Sequence, residues 1–425
     1  MGGRASILLV MGFAFVLGYV SMNLNKFATE AVGNMTGYFE NSASHNLALA
    51  GANAGLAKFY QDTTWHSAIT QSFNTNSMRG SFTAQVVNLT ANKAMLRSIS
   101  SYPSSAWGDL HDTVEVYFNR TSQNSFSLFA WMTNFEGNVF WIDQDTVWGR
   151  VHSNGALHVN GKPVFMQKAT TVKQFDPKPG TGTNKAIFKE GYETGVATIG
   201  FPTDLSEIVS ASTSGGKKYP GEIWVTLSPG TSADGDGKAY VRSTKTGPII
   251  DSVSLSDPTF NGVILGEQNV NIQGTLDGAL TVSSLKSVWI QDDVLYESNP
   301  LAGSSNDILG LVANQNVTVA DNVPNKTNCV VQGAIFARSG SFLAENYNTR
   351  GLCGTLQLLG SIVQDTRGAV GTFSGSTLNS GFSKRYRFDP RLQDPAFRPP
   401  YFPGYGVKTY AITNWWESYR VPRPS

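Results

Sequence analysis

From Ala5 to Asn25 the chain carries no charged side chain, and no proline interrupts it before Pro103. A helix over that run is about 30 Å long, the thickness of a bilayer core. Behind it, Phe27, Ala31, Met35, Tyr38, Ser42, His45, Leu49, Ala52, Leu56 and Phe59 recur at alternating steps of four and three. That is one face of an amphipathic helix. Run and stripe together predict a single helix from about Ala5 to Gln61, roughly 85 Å long. Its first half needs an apolar solvent or a bundle of like helices. Its second half needs a folded domain to cover one face. Leu8, Leu9, Phe13, Phe15, Leu17, Val20, Leu24 and Phe27 are the candidate packing or membrane residues, and Gly12 and Gly18 permit close helix approach. A simple membrane anchor and a cleaved signal peptide compete with this reading. A signal peptide, however, has a shorter apolar core that ends at a small-residue cleavage site.

The remainder of the 425 residues is sufficient for two or three domains. The net charge is +1 and 15% of residues are charged, so no global attraction to nucleic acid is expected. Gly, Ser, Thr and Asn are plentiful, a balance closer to extracellular β-rich proteins than to cytoplasmic enzymes. The two cysteines, Cys329 and Cys353, fit no common zinc spacing. On an exported chain the isolated pair predicts a disulfide worth roughly 3 kcal/mol; two unpaired buried thiols are the alternative.

Residues 63–130 hold short alternating stretches (GSFTAQVVNLT, AMLRSIS, TVEVYFNRT) that read as a small antiparallel β region. From about 131 the texture changes. Asn154-Gly155 and Asn160-Gly161 mark tight turns. Further on, Val270 and Ile272, Leu280 and Val282, Val288 and Ile290, Val317 and Val319, and Leu356 and Leu358 recur as inward-facing pairs between glycine corners. The class expected is α+β, mainly β, with a parallel β-solenoid-like body over 131–383; a β-sandwich would also give short alternating strands. Residues 166–259, with a short helix at DLSEIVSAS and a hairpin at SPGTSADGDGKAYV, read as an insertion. From Lys384 to the last residue a basic, aromatic, proline-punctuated tail reads as a strap capping the body. Tyr401, Tyr405, Trp415 and Trp416 are its candidate surface-binding residues, for which a glycan is the suggested ligand.

Catalytic signals are weak. Asp143 and Asp145 share a face of a presumed strand, as paired carboxylates of polysaccharide-cleaving enzymes do. Two aspartates before a turn are also ordinary strand-end chemistry. Asp292 and Asp293 point to opposite faces. His152 and His158 flank a turn without a third ligand. The stretch from Asp234 resembles the start of an EF-hand but has Lys245 where a bidentate Glu is needed. There is no phosphate loop or nucleophile elbow. The sequons at Asn34, Asn88, Asn119, Asn316 and Asn325 are about what this composition gives by chance. No enzyme activity, cofactor or metal is expected.

RASILLVMGFAFVLGYVSMNLNKF together with HNLALAGANAGLAKFYQD resembles the N-terminal region of type IV pilins, and of PilX-type minor pilins in particular. DTVWGRVHSNGALHVNGKPVF, GAIFARSGSF, LLGSIVQDTRGAVGTF and FSKRYRFDPRL followed by PPYFP resemble a group of large pilin-like envelope proteins whose main domain has no assigned activity. Unlike ordinary pilins, this chain has no acidic residue before Glu30. The resemblance implies inner-membrane anchoring before assembly, then self-association into a cell-surface filament as a structural or adhesive subunit. A membrane-anchored β-helix protein that binds or cleaves polysaccharide is the alternative.

Overall fold

The computed structural model describes residues 2–61, 65, 67–75, 79–90, 93–104, 107–121, 124–143, 145–230, 235–303, 305–374, 377–394, 397–406 and 409–418. It is mainly β with one long N-terminal helix, and it divides into two units. The first comprises residues 1–121 and 408–425; the second is everything between.

In the first unit, helix α1 (Gly2–Gln61) is continuous. The sheet beside it has the order β1 (Ile69–Asn74), β2 (Arg79–Thr90), β3 (Lys93–Ser104), β5 (Thr113–Thr121) and a returning strand, Thr409–Ser418; β4 (Gly108–Leu110) pairs with β3. All these pairings are antiparallel. Inward-facing Val86, Leu96, Val116 and Phe118 pack with Ala48, Ala52 and Phe59 of the helix. The buried face of α1 is Gly37, Glu40, Ser44, Leu47, Ala48, Gly51, Ala52, Gly55 and Phe59. It begins ten residues later than the expected stripe and is turned about one residue from it. Phe27, Met35 and Tyr38 remain exposed. The large side chains suggested the wrong face, because the sheet seats against the smallest ones. A Cβ on Gly51 would lie 2.7 Å from the Phe82 ring, and one on Gly55 2.5 Å from Leu96 Cδ1.

The second unit is a long ladder of parallel strands, a pairing unlike that of an antiparallel sandwich. Ile264, Val282, Leu311, Ile335, Ile362, Trp131, Val151 and Ala169 are successive register partners, and all are buried. A second column runs Val225, Ile272, Ile290, Val319, Ala344. All five expected inward pairs lie in this core. The order in the ladder is not the order in the chain. Strand Leu352–Thr366 pairs with Phe129–Phe135, so the polypeptide enters mid-ladder. It builds one way to Tyr192–Thr194 and resumes at Lys217–Tyr219 beyond the other end, from which it builds back.

The expected insertion at 166–259 is therefore not one. Residues 169–171, 192–194, 217–219 and 223–228 are rungs. Residues 238–242 and 249–254 add two antiparallel strands at the far end. The stretch from 195 to 216, with helix α2 (Ser206–Thr213), crosses over a second face of the ladder, where Leu205, Ile208 and Ala211 cover Val263, Leu265, Val312, Phe336, Val363 and Met132. Strands covered on both sides need apolar residues on both sides, which is why VILG and ILGLVA are buried throughout.

Two further expectations change. The tail is not one strap: Thr377–Phe388 is a rung, Tyr401, Phe402 and Tyr405 pack on the second face, and Thr409–Ser418 belongs to the first unit's sheet. The cysteines are unbonded and buried. Cys329 stands opposite Leu356, not Cys353. The Cys353 thiol instead points at the carbonyl oxygens of Arg350 and Gly351, at 3.8 and 3.7 Å. Burial, reinforced by Asp293 and Asp292, pushes the Cys329 thiol up to about 12, so its reactive thiolate is scarce.

Candidate functional site: an uncovered helix surface

Helix α1 contains a stretch long and apolar enough to cross a membrane, and none of it is buried. Leu8, Leu9, Phe13, Phe15, Leu17, Val20, Leu24 and Phe27 range from 46% exposed at Val20 to 79% at Phe15. Monomeric soluble surfaces rarely carry so large a contiguous apolar patch. Burying each such side chain is worth roughly 1.5–3 kcal/mol. Nothing lies within 4 Å of the Cβ positions of Gly12, Gly18 and Gly33. These are the notches that Gly51 and Gly55 provide where the sheet does approach. Lys26 and Glu30 form an ion pair 3.9 Å apart on the helix surface.

Where the helix meets the sheet, the polar contacts are specific. His45 Nδ1 lies 2.8 Å from Asp112 Oδ2, and its Nε2 lies 3.1 Å from Glu417 Oε2 on the returning strand. The Ser44 and Ser100 hydroxyls are 2.9 Å apart. Phe59 meets the Tyr410 ring edge-on at 4.6 Å. These contacts fix the second half of the helix against the sheet.

The other sequence candidates do not converge. Asp143 and Asp145 sit at a corner between the two-residue strands Trp141–Ile142 and Thr146–Val147. Asp143 Oδ1 accepts the Lys162 N–H at 2.7 Å, and Gly161, at φ +116°, leaves room for that carboxylate. Asp145 Oδ2 accepts from the Ile142 N–H and from Lys384 Nζ, both at 3.0 Å. Asp293 Oδ1 accepts the Val330 N–H, and Asp292 Oδ1 accepts the Asp293 N–H.

His152 is buried between Thr170 Oγ1 and Asn154 Oδ1; burial lowers its pKa against the opposing effect of Asn154. His158 faces Asp176 at 3.2 Å instead. Among the described residues no three His, Cys, Asp or Glu form a metal-binding group. Asp234 lies outside the described residues; the strands before and after it, Ile223–Ser228 and Lys238–Arg242, pair antiparallel. Of the four tail aromatics, Tyr401 and Tyr405 pack on the ladder, Trp415 packs in the first unit, and Trp416 is 48% exposed. Sequence reasoning missed the pairing of Asp145 with Lys384, since 239 residues separate them.

No protein-family model and no curated protein matches the chain. Among solved structures, it is similar to the competence-associated pilin ComZ from Thermus thermophilus, with 12% identity over 89% of this chain and 98% of that one, at a TM-score of 0.32.

Proposed function

We propose that this chain is a non-enzymatic, type IV pilin-like subunit of a cell-surface filament. The carrying observation is the division of α1: one half is packed against a sheet, and the other is apolar, notched and bare. In this reading the bare half sits in the inner membrane before assembly. Within a filament it is then buried among the same halves of neighbouring copies. Loss of water contact and close packing at Gly12 and Gly18 drive the exchange, without an acidic registry residue near the start. The second unit is the displayed body, read as a solenoid because most of its strand pairings are parallel and its inward columns run from rung to rung.

Gly18→Glu tests this. A charge at the middle of a membrane helix costs about 3 kcal/mol, and more where helices pack closely. The expected result is loss of the membrane fraction and of filaments containing the chain, while the second unit stays folded by limited proteolysis. Normal anchoring and normal filament yield would reject the reading.

A further inference from the structure

Within the second unit, strand Leu352–Thr366 changes partners along its length. Residues 352–360 pair with Thr377–Phe388, and residues 362–366 pair with Phe129–Phe135. Where the two neighbours part, a cavity of about 230 Å³ opens, closed across by Trp141 and by residues 145–148. Such partings between elements are where ligand sites occur.

The lining is unusual for a cavity with no assigned role. The Lys384 side chain, 21% exposed, spends one of its three N–H donors on Asp145, and its Nζ also lies 5.6 Å from the centre of the Trp141 ring. Burial pulls its ammonium below the ordinary lysine value, and Asp145 only partly offsets this. Trp141, 4% exposed, has an indole N–H with no acceptor among the described residues. A buried donor without a partner is costly, so an acceptor supplied to it is stabilising. Trp148 is 53% exposed at the rim, a flat ring open to one side.

The charge balance favours an anion. Exposed Arg385 and Arg387 line the cavity with Lys384, opposed there by Asp145 alone. The nearby Arg367 guanidinium is already matched by Glu136 at 2.7 Å and stacked on Trp141 and Trp131.

We propose that this cavity binds one carboxylated sugar residue, a uronic or sialic acid, of a surface polysaccharide. The carboxylate meets Lys384 and the arginines, a ring or hydroxyl oxygen accepts from the Trp141 indole, Asp145 Oδ1 accepts from a sugar hydroxyl, and Trp148 covers the C–H face of the ring. This site replaces the tail aromatics as the glycan-binding candidate, and it does not depend on filament assembly.

The test is calorimetry on the full chain in detergent, with tri-galacturonate, the neutral galactose trimer and citrate as probes. The expected result is binding of tri-galacturonate at least about tenfold tighter than either other probe, weakening as salt rises. Lys384→Met and, separately, Trp148→Ala should each lower that affinity about tenfold or more. Trp148 and Arg387 are exposed, so Trp148→Ala and Arg387→Gln keep the test valid if Lys384→Met fails to fold. Equal binding of the neutral trimer, equal binding of citrate, absence of binding, or unchanged affinity in Trp148→Ala and Arg387→Gln would each overturn the proposal.

Discussion

The two halves of α1 are made of similar residues and meet opposite fates. Both contain glycines, aromatics and aliphatic side chains. In the second half the glycines let a sheet come within van der Waals reach, and Phe59 is wholly buried. In the first half the glycines face nothing and Phe15 is 79% exposed. The difference lies in what the rest of the chain supplies. β2, β3, β5 and the returning strand offer an apolar face to residues 37–59, and no described element offers one to residues 6–27. An apolar helix surface is thus completed either by its own chain or by something outside it, and composition alone does not say which.

The sharpest way to break this comparison is to remove the same side chain from each half. Phe59→Ala should cost about 3–5 kcal/mol, from lost burial and the cavity left beside Phe118 and Tyr410. Phe15→Ala should leave folding unchanged within about 0.5 kcal/mol and act only on membrane retention. Urea unfolding in detergent, followed by circular dichroism, measures both. Equal costs at the two positions would mean that the first half is covered as well.

Filling the notches comes next. Gly51→Leu must push Phe82 aside and should destabilise by about 1–3 kcal/mol. Gly18→Leu meets no atom of its own chain and should leave the unfolding midpoint where it was, while reducing filament yield.

A smaller effect concerns the sheet's outward side, at Glu115. Burial works to raise its pKa, but the Tyr117 hydroxyl at 2.7 Å and Arg97 at 2.7 Å together hold it below the ordinary carboxylate value. A carboxyl depressed on folding contributes stability that is present above its unfolded pKa and is lost as pH falls through the folded one. Glu115→Gln should therefore lower stability slightly at neutral pH and flatten the loss on acidification below about pH 4.5. Melting temperature against pH shows it, and an unchanged acid limb would count against the contact.

The least effect is expected at the thiols. Reductant should not move the melting temperature, and alkylation should reach Cys329 and Cys353 only after unfolding. Mass spectrometry of unreduced peptides would reveal a bond if one forms.

The helix and the inward pairs were legible because both are local periodic signals. The buried face of α1 was misjudged because Gly51 and Gly55 carry no side chain for a hydrophobicity pattern to register. The cysteine pairing failed because an isolated pair of thiols on a chain read as exported says nothing about register: a slip of three residues on neighbouring strands keeps Cys353 from standing opposite Cys329. The reordering of the ladder was hidden for the same reason. Each rung looks alike locally, and only the contact between 362–366 and 131–135 tells where the chain begins its climb. The cavity was illegible because its two polar sides, Asp145 and Lys384, come from opposite ends of the second unit's sequence.

The returning strand also sets a timetable. Phe118 and Phe59 emerge from the ribosome early, but Tyr410, which packs against both, is made only after the whole second unit. At ordinary rates of translation the interval is roughly 15 to 60 s. Throughout it, β5 is an open sheet edge and His45 lacks Glu417. A chain broken anywhere in the second unit never closes that edge. The first unit's sheet is thus completed last: only a polypeptide synthesised through residue 418 supplies the strand that covers β5.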